Sequence, residues 1–274
     1  MEILHATPGA PIRAALFDFD GTISTLRYGW EAVMREMMLE LLSRGAPDAA
    51  LEREVDAYIE ESTGIQTIHQ MKWLAARARS LGRNDLPNDP WWYKDEYNRR
   101  LMRTVSARVE ALSSGAQPPE QYLIAGAAEF LNALRARGVG LYVASGTDDA
   151  DVRAEARALG VEKYFARIAG APNRAEGCAK EAALRMLVDE IGLSGERIAV
   201  IGDGKVEIGL ARDIGARALG LATDEAALRG VNPAKRARLI RAGADAIAGD
   251  FEDVAALLKW MGLEDEMQCD GTRN

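Results

Sequence analysis

Two aspartates close a short apolar segment near the start of the chain, and a glycine follows them at once. The segment reads Ala14-Ala15-Leu16-Phe17-Asp18-Phe19-Asp20-Gly21-Thr22. In an extended chain, side chains two residues apart point the same way, so Asp18 and Asp20 can face one site. A hard cation such as Mg²⁺, which prefers oxygen ligands, would explain carboxylates at the end of a buried strand. The alternative is a strand that ends in an acidic turn, because Asp-Gly is a common turn dipeptide.

Three further segments place polar side chains at the ends of predicted strands or at the start of a predicted helix. Ser145-Gly146-Thr147 carries two hydroxyls, and Gly202-Asp203 carries a carboxylate with Glu207 shortly after it. Lys180 opens a predicted helix. Taken alone, the first is explained as a helix N-cap, the second as a turn and the lysine as a solvated side chain. Their order along the chain favours one shared site.

Strands and helices alternate along most of the chain. The predicted strands are Ile12–Asp18, Gly140–Ser145, Phe165–Ala169, Arg197–Ile201, Ala216–Leu221 and Asp245–Ile247. The predicted helices of this part are Ala127–Arg137, Asp149–Leu159, Lys180–Ile191, Glu207–Ile214 and Phe251–Met261. This alternation predicts βαβ units in a mostly parallel sheet. Ligands of such sheets bind beyond the carboxyl ends of the strands, where the polar segments would lie.

One interval departs from this alternation. Between Ile23 and Pro119 we find helical patterns and no convincing strand. Apolar residues at i, i+3, i+4 spacing run from Trp30 to Leu42, and further helices are predicted over Leu51–Glu61, Ile68–Leu81 and Tyr93–Leu112. We therefore predict two domains, an α/β core of residues 1–22 and 120–274 and a helical domain of residues 23–119.

Composition narrows the classes of protein that the chain can belong to. The 274 residues carry a formal charge of −8 with a pI of about 5.1, which argues against a nucleic-acid partner. No apolar run has the length that a bilayer span needs, so no membrane partner is expected. Two cysteines and two histidines are too few for a disulfide framework or a histidine-rich metal centre. The start of the chain lacks a signal-peptide pattern, so we predict the cytoplasm; the oligomeric state stays open.

Taken together, the polar segments resemble the four motifs of the haloacid dehalogenase superfamily, in its C1-capped phosphatase branch of phosphoglycolate phosphatase and β-phosphoglucomutase type. The matches are Asp18-Phe19-Asp20-Gly21-Thr22 for the first motif, Ser145-Gly146-Thr147 for the second, Lys180 for the third and Gly202-Asp203 with Glu207 for the fourth. The resemblance implies a Rossmann-like parallel sheet flanked by helices, with an inserted all-helical cap. Glu207 departs from the family, which usually has a second Asp there; the longer side chain favours contact with the metal through water.

The resemblance also implies a Mg²⁺-dependent phosphatase that acts on a small phosphorylated metabolite through an aspartyl-phosphate. Asp18 would be nucleophile and metal ligand. Asp20 would give its backbone carbonyl to the metal and its carboxyl as acid and base, and Asp203 would be the second carboxylate on the metal. Ser145, Gly146 and Lys180 would hold phosphoryl oxygens.

The same motifs leave two other functions open. A phosphomutase of this family would use the same aspartyl-phosphate to phosphorylate a sugar. A binding protein on the same fold would perform no chemistry, although the intact Asp18, Asp20, Lys180 and Asp203 argue against it. A dehalogenase fits less well, because that branch lacks the second aspartate of the first motif.

Within the predicted cap, one segment has more hydrogen-bonding groups than its helical neighbours, Thr63 to His69. We expect Gln66, Thr67 or His69 to touch a hydroxylated leaving group. The alternative is an exposed helix start that Thr63 caps.

Overall fold

The computed structural model describes residues 1–5, 9–172, 174, 181–182, 185–186, 188–189 and 192–264. The strands within these residues are β1 (Glu2–Ile3), β2 (Ala14–Phe17), β3 (Gly140–Asp148), β4 (Arg167–Ala171), β5 (Ile198–Gly202), β6 (Arg217–Leu221) and β7 (Ala246–Ala248). They form one sheet in the order β1-β7-β6-β5-β2-β3-β4. All neighbouring strands are parallel except β1 and β7. The predicted α/β class is therefore confirmed.

The described helices lie in two groups. Four are inserted between β2 and β3: α1 (Trp30–Leu42), α2 (Ala49–Glu61), α3 (Thr67–Ser80) and α4 (Pro90–Ser113). The others accompany the sheet: α5 (Ala127–Ala136), α6 (Asp149–Ala158), α7 (Lys205–Asp213), α8 (Pro233–Ala242) and α9 (Val254–Trp260). Of the predicted helix Lys180–Ile191, residues 181–182, 185–186 and 188–189 are described and are helical.

Strand β2 lies inside the sheet, between β5 and β3, and its residues are all apolar and buried, as expected for a strand covered on both faces. It pairs in register with β3 on one side and β5 on the other, so that Phe17 lies level with Val143 and Ile201. On one face of the sheet, the ring of Phe17 packs edge-on against Phe130, with the ring centroids 6.3 Å apart. Because the strands are parallel and level, the residues that follow β2 and β5 emerge side by side.

The inserted helices have an apolar core of their own. It contains Met34, Met37 and Met38 of α1, which pack with Val55 of α2 and Leu74 of α3. Burial of these side chains away from the sheet gives the insert its own source of stability. The insertion is all-helical, as predicted, and its bounds at residues 23–119 remain a prediction.

Among the described strands and α-helices, two were not predicted. Strand β1 has only two residues, which is too short for any alternation of apolar and polar side chains to show. Helix α8 has Asn232 as N-cap and Pro233 in its first turn, but Leu239 is its one fully buried side chain among the described residues. Because this helix lacks an apolar stripe, its capping residues were the one sequence signal that it offered. None of the described helices combines the length and apolar character that a membrane span requires.

Candidate active site

A cavity of about 290 Å³ lies between the carboxyl ends of the central strands and the inserted helices. Asp18, Asp20 and Asp203 line it on the side of the sheet. Helix α4 contributes Lys94 and Tyr97 on the opposite side. The predicted convergence of carboxylates from separate strand ends is therefore present, and the insert covers it.

Asp18 is the first residue after β2, and backbone hydrogen bonds fix its place. Its N–H donates to the carbonyl of Ile201 at 2.9 Å, which continues the pairing of β2 with β5. The N–H of Phe19 donates to Oδ1 of Asp18 at 2.8 Å. The side chain is only 6% exposed. A buried carboxylate held by the main chain in this way is restricted to one orientation.

The carboxyl group of Asp20 is held by two hydroxyl groups near the carboxyl end of β3. Oγ1 of Thr147 donates to Oδ2 of Asp20 at 2.7 Å, and Oγ of Ser145 lies 3.3 Å from the same oxygen. Oδ1 is buried and has no hydrogen-bond donor among the described residues. It lies 3.8 Å from Nε of Arg27. Asp20 thus presents one engaged and one unengaged oxygen.

Asp203, which follows β5, lies in contact with a lysine. Nζ of Lys235 donates to Oδ2 of Asp203 at 2.8 Å and to Oε1 of Glu225 at 2.5 Å. The N-cap side chain of Asn232 accepts from the N–H of Lys235 at 3.1 Å, so the start of α8 fixes this lysine. Burial would lower the pKa of Lys235, but the two carboxylates raise it above its ordinary value. Burial raises the pKa of Glu225.

Gly21 brings the loop after β2 close to Asp203. Its φ of 72° is in the left-handed region that favours glycine. A Cβ at this position would lie 2.5 Å from Oδ2 of Asp203, so any side chain would displace the carboxylate. The first and fourth motifs are therefore in direct contact.

The carboxylates at the cavity supply only part of the oxygen ligands that a hard cation requires. Within the part of the chain that the structure describes, no three His, Cys, Asp or Glu side chains are grouped as a complete metal site. Mg²⁺ commonly binds through one or two carboxylates and takes its other ligands from water and from substrate phosphate. Asp18 and Asp203 supply two carboxylates to one cavity, and Lys235 contacts one oxygen of Asp203. These residues fit such a site.

The other predicted site residues fall in different places. Gly146 lines the cavity, whereas Ser145 is fully buried and contacts Asp20. Glu207 is also buried, and it is not among the residues that line the cavity. Its Oε2 would lie 2.5 Å from a Cβ at Gly204, which places it beneath the loop after β5. Lys180 lies outside the described residues.

Of the three residues predicted in the insert, only Thr67 lines the cavity. Gln66 is buried and His69 is exposed, and neither is among the lining residues. The first turn of α3 instead directs Gln70 to the cavity, where its Nε2 also donates to Oγ of Ser62 at 3.1 Å. Residues three and four apart share a helix face, so Thr67 and Gln70 can be recognised as a pair once the helix start is known.

Several polar residues at the site were missed. They are Arg27, Lys94, Thr147, Glu225 and Lys235. Nζ of Lys94 lies 2.5 Å from Oδ1 of Asp148, so the insert and the core are joined across the cavity. Of these residues, only Thr147 could have been recognised as a site residue from the sequence, because it belongs to the second motif.

Known proteins resemble this chain in sequence and in fold. A model of the family described as haloacid dehalogenase-like hydrolase matches residues 12–215. A phosphoglycolate phosphatase from Rhodospirillum rubrum is 25% identical over 251 residues, which is 92% of this chain and 91% of that protein.

Solved structures show the same fold at lower identity. A predicted phosphoglycolate phosphatase from Haemophilus somnus superposes with a TM-score of 0.60 at 18% identity, covering 90% of this chain and 97% of that one. A β-phosphoglucomutase from Clostridium difficile gives a TM-score of 0.60 at 15% identity, covering 92% and 97%.

The fold and the family match together define an enzyme class. The chain belongs to the haloacid dehalogenase-like hydrolases. The resemblance read from the four motifs is thereby confirmed.

Proposed function

We propose that this hydrolase is a Mg²⁺-dependent phosphatase that cleaves a small organic phosphate monoester through an aspartyl-phosphate on Asp18. The observation that carries the proposal is the meeting of Asp18, Asp20 and Asp203 at one covered cavity. The curated relative from Rhodospirillum rubrum, a phosphoglycolate phosphatase, supports this choice of reaction. Phosphate monoesters resist hydrolysis strongly, so a preorganised set of charges is needed.

Two of the aspartates would perform the chemistry. In the first half of the reaction, an oxygen of Asp18 attacks phosphorus while the bond from phosphorus to the ester oxygen breaks. The electron pair stays with the ester oxygen, which takes a proton from Asp20. In the second half, Asp20 accepts a proton from water as the water attacks the aspartyl-phosphate. Inorganic phosphate leaves and Asp18 is restored.

The charges around the phosphoryl group would come from several places. Asp18, Asp203 and the backbone carbonyl of Asp20 would hold Mg²⁺, which when bound offsets the repulsion between carboxylate and phosphate. Gly146 lines the cavity, and its backbone N–H would donate to a phosphoryl oxygen. Lys180 is the proposed partner of another phosphoryl oxygen. Ser145 contacts Asp20, which makes support of that carboxyl a second role for its hydroxyl.

The helical insert would act as a cap that excludes water and limits substrate size. Its contacts with the core lie around the cavity: Lys205 Nζ donates to the carbonyl of Glu61 at 2.5 Å, and Arg238 pairs with Glu60 at 3.2 Å. A cavity of about 290 Å³ suits a small ester such as a phosphoglycolate-like acid or a sugar phosphate. Residues 23–119 are the proposed cap.

A screen of phosphate esters with Mg²⁺, followed by phosphate release, tests the proposal. We expect Asp18→Asn to lose at least about a thousandfold in kcat, because the nucleophile is removed while the shape of the side chain is kept. Borohydride reduction during turnover should convert Asp18 of the wild type, and no other aspartate, to homoserine. Release of phosphate by Asp18→Asn at the wild-type rate would contradict the proposal.

The same experiment separates the alternatives. A phosphomutase would give an isomerised sugar phosphate that depends on a bisphosphate primer, instead of net phosphate release. A binding protein would release no phosphate from any ester. A cytoplasmic location remains part of the proposal.

A further inference from the structure

Arg27 is a buried cation next to the site that the proposed chemistry does not use. It lies seven residues after Asp20, where the chain passes from the core into the insert, and is 9% exposed. Its Nη2 lies 2.6 Å from Oε1 of Glu155, and its Nε donates to the same carboxylate at 3.0 Å. Asp151 adds a contact at 3.3 Å. Helix α6 thus holds the guanidinium with two carboxylates.

The guanidinium stays just beyond hydrogen-bond distance from Asp20. Nε of Arg27 and Oδ1 of Asp20 are 3.8 Å apart, whereas Oδ2 accepts from Thr147 at 2.7 Å. Oδ1 is the buried oxygen that has no donor in the described part of the chain. Attraction to Arg27 therefore orients Oδ1 without engaging it in a hydrogen bond.

We propose that Arg27, tethered by Glu155, is a positioning residue that aims Oδ1 of Asp20 at the leaving oxygen of the substrate. This inference rests on the proposed function. The step concerned is the first one: the bond from phosphorus to the ester oxygen breaks, and the proton on Oδ1 moves to that oxygen. The hydroxyl of Thr147 holds Oδ2 of the Asp20 carboxyl group, and attraction to Arg27 sets the direction in which Oδ1 points.

Glu155 has a separate part in this arrangement. A guanidinium released from Glu155 would close the gap of 3.8 Å and bind Oδ1 directly. The oxygen that should carry the proton would then be occupied. Loss of the tether and loss of the arginine are therefore both expected to impair proton donation to the leaving group.

Leaving-group dependence tests the inference, because a good leaving group needs no proton. We would measure kcat/KM, which reports every step through formation of the aspartyl-phosphate, with p-nitrophenyl phosphate, phenyl phosphate and an alkyl phosphate. Arg27→Met should lose about tenfold or more with the alkyl ester and markedly less with p-nitrophenyl phosphate, as should Glu155→Ala. Arg27→Lys should recover part of the loss. Activity with the activated ester shows that each variant is folded.

Two reference variants separate this inference from the proposed function. Arg100→Met removes the ion pairs of Arg100 with Glu96 and Glu40 in the insert, away from the cavity, and should leave all esters unaffected. Asp20→Asn should steepen the leaving-group dependence more than Arg27→Met. If Asp20→Asn does so and Arg27→Met lowers all esters equally or none, the inference is overturned and the proposed function stands. If Asp20→Asn affects all esters equally, the proposed role of Asp20 fails and the inference fails with it.

Discussion

The Asp203 side and the Asp20 side of the cavity hold the same kind of side chain in different surroundings. Oδ2 of Asp203 contacts the ammonium of Lys235 at 2.8 Å, and Glu225 shares that ammonium. Oδ2 of Asp20 accepts from a neutral hydroxyl, and the nearby guanidinium of Arg27 remains 3.8 Å from Oδ1. In the proposed mechanism Asp203 binds the cation and Asp20 transfers the proton. We infer that the different partners of the two carboxyl groups, and not the residue type, divide these roles.

The strongest test of this comparison replaces the carboxylate on the Asp203 side. Asp203→Asn keeps the size of the side chain and removes its charge, so we expect kcat/KM to fall about 10³-fold with every ester alike. The uniform loss would contrast with the leaving-group dependence expected for Asp20→Asn. Asp213→Asn, at the exposed end of α7, is the matched control. A loss at Asp203 that grows as the leaving group becomes poorer would contradict the division of roles.

A smaller effect is expected from the lysine that contacts Asp203. Lys235→Met removes the ammonium that competes for Oδ2 and leaves Asp203 and Glu225 as two carboxylates without their cation. The measurement is the rise in Tm as Mg²⁺ is added. We expect the midpoint of this titration, the Mg²⁺ concentration that gives half of the full rise, to fall about tenfold.

Lys259→Met is the control for this titration. Lys259 lies in α9 and pairs with Glu264 at 3.3 Å, and it is not among the residues that line the cavity. Its midpoint for Mg²⁺ should match that of the wild type. An unchanged midpoint in Lys235→Met would show that Lys235 does not share a site with the cation.

The parallel sheet could be predicted from the sequence because its strands are buried on both faces. Stretches such as Ala14–Phe17 and Ile198–Gly202 contain only apolar residues and glycine, and each is followed by an aspartate. The position of Asp18 and Asp203 then follows from parallel pairing alone. Family resemblance added the expected roles, and the family match confirmed the class.

The surroundings of these aspartates could not be predicted in the same way. Lys235 is separated from Asp203 by 32 residues, and it belongs to a strongly basic helix whose composition indicates a solvated face. Arg27 reaches Glu155 across 128 residues, with no periodicity to indicate the pairing. Such contacts depend on how helices and loops pack in three dimensions, which a local pattern does not report.

In the insert, the helices were easier to predict than the residues that face the cavity. The polar segment before α3 drew attention to Gln66 and His69, yet the helix begins at Thr67 and directs Thr67 and Gln70 to the cavity. A shift of one residue in a helix rotates a side chain by about 100°. The start of a helix therefore decides which polar groups reach a site.

The smallest expected effect concerns the tether on the Asp20 side. Burial raises the pKa of Glu155 to about 7 from 4.5, although Arg27 acts in the opposite direction. Between these two pH values the unfolded chain has lost the proton while the folded protein retains it, so the free energy of unfolding falls as pH rises. Glu155→Gln cannot titrate. From pH 5 to pH 8 the free energy of unfolding should fall by about 1–3 kcal/mol more in the wild type than in this variant.

Urea unfolding of both proteins at the two pH values measures this difference. Glu129→Gln, on the exposed face of α5, serves as the control and should follow the wild type at both pH values. A stability difference between wild type and Glu155→Gln that does not change with pH would mean that Arg27 fully offsets the burial of the carboxyl group. The tether would then be a permanently charged pair, and the contrast between the two sides of the cavity would be smaller, since each side would hold a cation by ionised carboxylates.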